Sequence, residues 1–429
     1  MVAKSLKAVI PYPVRGGISA VLAFLHLRQR FVNGTRGVDL KIGLQVDVAV
    51  YFPDELPKSY QLTQWLPILE RHPADLSFGL VVRNLDVYRQ LVKLTQLPVA
   101  YMPTFSELMK FYRIGPIKAV MYVNNGMGNF QSLTVAELAH IHVNHGESDK
   151  ICMVSNQAKA YDRVFVAGEA AVRRHRAALS EFNEKVLVRV GRPQLDANPK
   201  ASIPESSRRT ILYAPTWAGE DEANNYTSMK FMGPKIVEAI LTQPDVRLVY
   251  KPHPQIAKAD DSAIRKNHKK IIRLIQGANA KDSGAGHEFR EAGDILAIFP
   301  RVDLLISDIS SIALDFLYLR TEAPIILTDR RNNIEQLHID SPLSVATQVL
   351  TKENIADATS IIGQVLAADD FVKDRKVLRD FYFDNVQAGE SAPRFFKALK
   401  QVIAEHSGDV QRAKSLAAKG TGPHFEHRA

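Results

Sequence analysis

Between residues 47 and 328 short apolar runs, each the length of a buried strand, take turns with stretches whose apolar residues recur at helical spacing. Strand-like runs fall at 47–52, 76–82, 99–102, 119–123, 140–143 and 163–167, and helix-like patterns at 61–71, 87–94 and 105–112. A strand apolar along its whole length must be covered on both faces. A βα alternation keeps successive strands pointing the same way, so the chain is confined to mostly parallel sheets clad in helices. A polar stretch at 196–209 with two prolines interrupts the rhythm and reads as a linker. The rhythm then restarts, with strands at 210–214, 246–251, 303–306 and 324–328. Helices follow at 229–241, 264–276, 311–319, 354–367, 371–383 and 393–405.

A chain of 429 residues is too long for one ordinary core. The expectation is an α/β protein of two doubly wound, Rossmann-like domains, residues 1–200 and 208–370. Helices at 371–406 pack across both, and a polar, mobile tail occupies 407–429. Folds of this kind bind ligands at the carboxyl ends of their strands, so two facing domains enclose a cleft.

The formal net charge of +9 favours an anionic partner: a nucleotide, a polyphosphate polymer, an anionic lipid surface or a nucleic acid. Cys152 is the single cysteine, which rules out an intrachain disulfide and fits a reducing compartment. No segment reaches the roughly 18 apolar residues of a membrane span. The apolar residues 8–10 read as a first strand. The segment 17–27, edged by Arg15, Arg28 and Arg30, reads as a core helix or an interfacial one. Neither a G-x-G-x-x-G turn nor a Walker A sequence is present, against a standard dehydrogenase or a P-loop ATPase.

The residues able to do chemistry gather where strands run out. His145-Gly146 follows a strand. A histidine near neutral pKa is the usual base for a hydroxyl proton, and glycine admits a close ligand. Asp149 or Glu147 is expected to orient it, and Lys150 to bind phosphate. Lys251 and His253 end the run at 246–251, with the histidine stiffened between Pro252 and Pro254. Ser310 and Ser311 open a helix, where capped amides and the helix dipole make a cradle for phosphate. Pro215 and Thr216 end the strand at 210–214. His140 and His142 share one strand face but lack a third ligand, so no metal is expected. The loop 124–129 is either an acceptor-binding loop or a plain turn.

Taken in order, these segments resemble the CDP-glycerol glycerophosphotransferase family, which primes or extends teichoic-acid type polymers. The resemblance is carried by His145-Gly146-Glu147-Ser148-Asp149-Lys150, by Gly191-Arg192-Pro193-Gln194-Leu195-Asp196, and by Tyr213-Ala214-Pro215-Thr216-Trp217. It continues through Lys251-Pro252-His253-Pro254, Ser307-Asp308-Ile309-Ser310-Ser311 with Asp315-Phe316, and Gly389-Glu390-Ser391-Ala392. It covers roughly 140–400. Ser148 and Ala218 depart from the family's usual proline and arginine.

The resemblance implies a GT-B-type architecture with an acceptor-side first domain and a nucleotide-donor second domain. It implies His145 as the base, with His253 and Asp149 also catalytic. Lys251, Ser310, Ser311, Asp308, Thr216, Lys150 and Pro215 would bind the donor, with no cofactor and no metal. The reaction implied moves a polyol-phosphate unit from a CDP-activated donor to a polymer or lipid-linked hydroxyl and releases CMP. The lone cysteine suits the cytoplasm, the basic charge leaves peripheral contact with the inner face of an anionic membrane open, and no nucleic acid is expected. Two other readings stay open. One is a GT-B glycosyltransferase using a CMP- or UDP-sugar, with a sugar-nucleotide epimerase as a weaker variant. The other is a non-catalytic protein that grips an anionic polymer through Arg173, Arg174, Arg176, Lys269 and Lys270.

Overall fold

The computed structural model describes residues 44–150, 153–219 and 221–418. The expected first strand at 8–10, the apolar segment at 17–27 and Cys152 lie outside the described residues.

Two all-parallel sheets organise the chain. The first contains β1 (Val48–Phe52), β2 (Phe78–Val82), β3 (Val99–Tyr101), β4 (Ala119–Tyr122), β5 (Ala139–His142), β6 (Arg163–Val166) and β7 (Leu187–Arg189), in the order β3-β2-β1-β4-β5-β6-β7. The second contains β8 (Arg209–Ala214), β9 (Val246–Tyr250), β10 (Glu288–Phe289), β11 (Leu304–Asp308), β12 (Ile325–Asp329) and β13 (Gln348–Thr351), in the order β10-β9-β8-β11-β12-β13. Both central strands are buried on both faces. Val48, Val50 and Phe52 of β1 point into one core, and Ala49 and Tyr51 into the other. In β8, Ile211 and Tyr213 face one core while Leu212 and Ala214 face the other. This alternation is why the sequence shows continuous apolar runs rather than a polar-apolar pattern. In each sheet the strand order reverses beside the first strand, between β1 and β4 and again between β8 and β11. Such switch points leave a crevice at the strand ends.

Helices α1 (Tyr60–Thr63), α2 (Leu66–Leu69), α3 (Leu85–Leu94), α4 (Phe105–Ile114) and α5 (Glu169–Ala178) belong to the first lobe. The single helix expected at 61–71 is split. Pro67 in the first turn of α2 has no N–H to continue the ladder from α1. Asn84 caps α3 through Asp86 and Val87 amides, and Thr104 and Glu107 form a reciprocal capping box on α4. The second lobe carries α6 (Gly233–Leu241), α7 (Ser262–Lys281), α8 (Ser311–Leu319), α9 (Ile334–Asp340) and α10 (Ala358–Ala367).

The chain then crosses back. Helix α11 (Val372–Phe383) packs on both α5 and α8. Helix α12 (Ser391–Ala418) joins the first lobe, where Phe395 meets Trp65 at 5.2 Å and Phe165 at 5.8 Å, and Phe396 meets Phe78 at 6.0 Å. The polar residues expected to form a mobile tail from 407 are helical to Ala418. The docked stem nucleates the helix, and extension costs little once nucleation is done.

Candidate active site

In the second lobe the switch point brings together the ends of β8 and β11. The Asp308 carboxylate is buried there, where Oδ2 accepts from the Thr216 amide (2.7 Å). Its Oδ1 accepts from the Ser228 amide (3.2 Å) and from Thr328 Oγ1 (2.6 Å). Burial lifts its carboxyl to about 6, against the pull of these hydrogen bonds. This corrects the expectation of a donor-binding Asp308: the carboxylate is turned inward and fixes the loop that carries Thr216. Ser310 stands at the cap position of α8 in extended conformation, but its hydroxyl makes no capping bond and faces Ser307 Oγ at 3.4 Å. The expected serine cap is therefore absent, and the first amides of α8 carry no side-chain cap.

Beside them, β9 ends at Tyr250 and hands on Lys251 and His253. The His253 amide donates to the Pro215 carbonyl (3.0 Å), which ties the two strand ends together. His253 Nδ1 accepts the Gln255 amide (3.2 Å), so the neutral ring carries its proton on Nε2. The ring stacks on Trp217 with centroids 5.8 Å apart and planes 19° from parallel. Desolvation first, then Lys150 and Lys251, hold its pKa down to about 4. The Lys251 ammonium donates to the Glu291 carbonyl (3.3 Å), and burial lowers its pKa.

In the first lobe β5 ends in a turn with Asn144 at φ 54°, a left-handed conformation that asparagine tolerates. Trp65 Nε1 donates to the Asn144 carbonyl (2.8 Å), and Asn144 Oδ1 accepts the His145 amide (2.8 Å), so the turn that aims His145 is pinned on both sides. Desolvation, then the Arg192 guanidinium, push the His145 imidazole down to about 4. Its Nδ1 is buried without a hydrogen-bond partner among the described residues. A Cβ on Gly146 would sit 3.4 Å from Ser311 Cβ and 3.7 Å from an Arg192 nitrogen, which is how closely the lobes approach here. Lys150 Nζ donates across the cleft to Thr216 Oγ1 (3.0 Å).

Asp149 and Glu147 do not orient His145. Both carboxylates turn to Arg174, and Asp149 Oδ2 also accepts from Ser341 Oγ (2.8 Å) and Tyr382 OH (2.6 Å). A buried guanidinium on α5 attracts these carboxylates away from the imidazole, so Asp149 is a junction between the first lobe, the second lobe and α11. Burial raises its carboxyl to about 6.

The histidines of the two lobes meet at Tyr60. Its ring stands edge-on to His145 at 5.8 Å and 87°, and to His253 at 6.4 Å and 84°. The shared ring bounds the separation of the two imidazoles at about 12 Å. Around this point Arg192 and Asp315 form a buried ion pair across the lobes (3.1 Å). The Arg192 amide donates to Ser391 Oγ (3.0 Å), and Asp196 accepts the amides of Gly389 (2.8 Å) and Ala392 (2.6 Å).

Tyr60 and Trp65 have no counterpart among the expected site residues: Tyr60 directly precedes the helical pattern at 61–71, and Trp65 lies within it and looks like plain core. Arg174 is expected from the sequence only as part of an anion-gripping arginine face, not as the partner of Glu147 and Asp149.

His140 and His142 are committed elsewhere. His140 Nδ1 pairs with Tyr122 OH (2.8 Å) and Nε2 with the Val135 carbonyl (2.9 Å). His142 stacks on Tyr161, and burial drops its pKa to about 3. Among the described residues no three His, Cys, Asp or Glu are grouped to hold a metal ion. Arg173, Arg176 and Lys270 pair with Glu169, Glu184 and Glu238, so the expected basic grip is largely neutralised along the helix faces.

Residues 120–329 match the family described as CDP-glycerol:poly(glycerophosphate) glycerophosphotransferase. No curated protein matches the chain by sequence. Among solved structures, the wall teichoic acid polymerase TagF superposes with a TM-score of 0.55 at 14% identity, covering 91% of this chain and 98% of that one. A variant of that polymerase soaked with CDPG gives 0.53 at 12% identity, covering 92% and 99%. The UDP-GlcNAc 2-epimerase of Neisseria meningitidis gives 0.54 at 12% identity, covering 83% and 100%. At these identities the likeness is one of fold, the two-lobed GT-B type. Over residues 120–329, just under half of its length, the chain is thus similar to the CDP-glycerol:poly(glycerophosphate) glycerophosphotransferase family, and it is a transferase of the glycerophosphotransferase class.

Proposed function

We propose that the protein transfers a glycerol-phosphate or similar polyol-phosphate unit from a CDP-activated donor to a hydroxyl of a cell-envelope polymer or lipid-linked acceptor. The observation that carries this reading is the shared contact of His145 and His253 with Tyr60, beside the uncapped amides of α8. The donor diphosphate lies against those amides and against Ser310 and Ser311, with Lys150, Lys251 and Thr216 around it. The neutral His253 donates a hydrogen bond from Nε2–H to a phosphoryl oxygen and keeps its proton. His145 takes the proton of the acceptor hydroxyl. The freed oxygen bonds to the polyol-bearing phosphorus, the bond from that phosphorus to the bridging oxygen breaks, and CMP leaves with that oxygen. Fixed amides and ammonium groups stabilise the charge that builds on the phosphoryl oxygens.

The net charge of +9 suits an anionic donor, and it suits work at the inner face of an anionic membrane. Among the described residues no helix is long and apolar enough to cross a membrane. Purified protein incubated in turn with CDP-glycerol, CDP-ribitol and a CMP-sugar, with CMP release as the readout, tests the donor. Release from a CDP-polyol, abolished in folded His145→Ala, is the expected result. Release from the CMP-sugar alone, or undiminished release by His145→Ala, would overturn the reading.

A further inference from the structure

The second lobe uses its switch point for the groups described above; the first lobe has a matching crevice, between the ends of β1 and β4, that they leave unused. Pro53 and Asp54 follow β1, and Val123 and Asn124 follow β4. Asn124 Nδ2 donates to Asp54 Oδ2 (2.7 Å) and to Gln61 Oε1 (2.8 Å), and Asn124 Oδ1 accepts the Gly126 amide (3.0 Å). The three side chains are thus held in one fixed arrangement. Gln61 Nε2 lies 3.5 Å from Tyr60 OH, which sets this cluster beside the ring that touches both histidines. Asp54 is half-buried and makes no ion pair among the described residues, and only its Oδ2 is engaged by Asn124. Across Tyr51, Arg83 at the end of β2 is anchored by the Pro103 carbonyl (2.8 Å), by Gln131 Oε1 and by Tyr51 OH (3.3 Å), and it too has no carboxylate partner among the described residues.

This combination selects a chemistry. A carboxylate with an open oxygen accepts hydrogen bonds from hydroxyl groups and repels a phosphate placed on top of it. A carboxamide beside it supplies further polar contact. A guanidinium one strand further along attracts an anion. We propose that this crevice is an acceptor subsite. Asp54 and Gln61 take the uncharged, hydroxyl-bearing terminal unit, a polyol or a sugar, and Arg83 takes the phosphodiester of the unit behind it. The terminal hydroxyl then emerges at Tyr60, next to His145. This inference rests on the transferase reading above and adds where the acceptor chain end lies.

The same hydroxyl chemistry could come from the donor's own polyol, so the test has two arms. A synthetic tri(glycerol phosphate) and CDP-glycerol are each titrated calorimetrically into the wild type, Asp54→Asn and Gln61→Ala. Gln61 is only half-buried, so its variant serves if Asp54→Asn fails to fold. The expected result is binding of the trimer weakened tenfold or more in both variants, with CDP-glycerol affinity unchanged within twofold. Trimer affinity within twofold of wild type in the folded variants overturns the subsite. So does an equal loss for CDP-glycerol, which would hand the crevice to the donor polyol. A wild type that binds the trimer, sensitive to these variants, but not CDP-glycerol keeps the subsite and removes the donor reading instead.

Discussion

The state of His145 makes a strong demand on the pH behaviour. In the free protein desolvation and Arg192 hold its pKa near 4, against about 6.5 for an ordinary imidazole. At pH 5 an ordinary histidine would be roughly 97% protonated and a base reduced to about 3% of its plateau. With a pKa of about 4 it is only about one-tenth protonated, so nine-tenths of the base form survives. The kcat/KM for the donor, which reports the free enzyme, should therefore stay nearly flat from pH 8 down to about 5 and fall only below that. Once a diphosphate is bound, its negative charge favours the imidazolium, so the acid limb of kcat should lie at higher pH than that of kcat/KM. CMP release measured from pH 4 to 8, paired with NMR titration of the His145 ring assigned through His145→Gln, checks both statements. His253 is also held at about 4, so His253→Gln must keep the same limb for the assignment to stand. A kcat/KM limb near 6.5, or a free-protein titration there, would refute the reasoning, because neither the burial nor Arg192 would then be acting on the ring.

Three further outcomes follow from the packing. Arg192→Met leaves Asp315 as an unpaired buried carboxylate and should cost about 3–5 kcal/mol in urea unfolding, while Arg192→Met with Asp315→Leu should recover most of it; a double variant no better than the single one would show that the charge pair is not the issue. Gly191→Ala forces a side chain at φ +74° and into Ser391, so the thermal transition should fall by the equivalent of about 1–3 kcal/mol. An unchanged transition would mean that α12 is not seated against this turn. Trp65→Phe removes the hydrogen bond to Asn144, worth about 1 kcal/mol, and should lower kcat more than it raises KM, since the turn it pins aims His145; equal kcat in folded protein would deny Trp65 that positioning role.

Stability should follow the histidines as well. His142, His145 and His253 have folded-state values of about 3, 4 and 4, below the ordinary 6.5 of the unfolded chain. A depressed histidine contributes stability that is present above 6.5 and lost as pH falls through the window toward 4, because the unfolded chain takes up protons first. Asp149 and Asp308, raised to about 6, act in the opposite sense. Their contribution is present below the ordinary carboxylate value and lost as pH rises through 6. Three such histidines outweigh two such carboxylates, so the melting temperature should fall as pH drops from 6.5 toward 4, less steeply than the histidines alone would give. His142→Asn should flatten the acid side, and a variant that leaves the acid side as steep would assign the loss to other groups.

The strands were legible in the sequence because the central ones are buried on both faces and apolar throughout. What escaped were β7, β10 and β13, short edge strands of two to four residues with exposed or half-exposed positions, which give no apolar run. The histidines and the hydroxyl-bearing turns could be read because each follows a strand directly. The partnerships of the acids could not. Asp149 sits four residues from His145, yet its charge is taken by Arg174 on a helix that begins twenty residues later, and its second oxygen by residues 341 and 382. Spacing along a loop fixes which residues are near each other, not which of several buried donors a carboxylate turns to. Tyr60 escaped for a related reason: a tyrosine just ahead of an apolar helical pattern carries no sign of a role until the second lobe is placed against it.

Much of the motif chemistry in this chain is devoted to holding the lobes in one relation rather than to the reacting atoms. Asp308 pins the loop of Thr216, Lys150 reaches that threonine from the other lobe, Arg192 closes on Asp315, and Asp196 holds the start of α12. Each bond crosses from one segment of the family pattern to another. The distance from His145 to the first turn of α8 is therefore set in good part by Asp308, Arg192, Asp315 and Asp196, which need never touch a substrate. A base misplaced by an ångström loses much of its effect, so residues that fix the relation of the lobes matter as much as those at the reacting atoms. That requirement explains why a segment such as 145–150 carries both a base candidate and two carboxylates that ignore it. The carboxylates anchor the turn to α5 and α11, and the anchored turn is what delivers the imidazole.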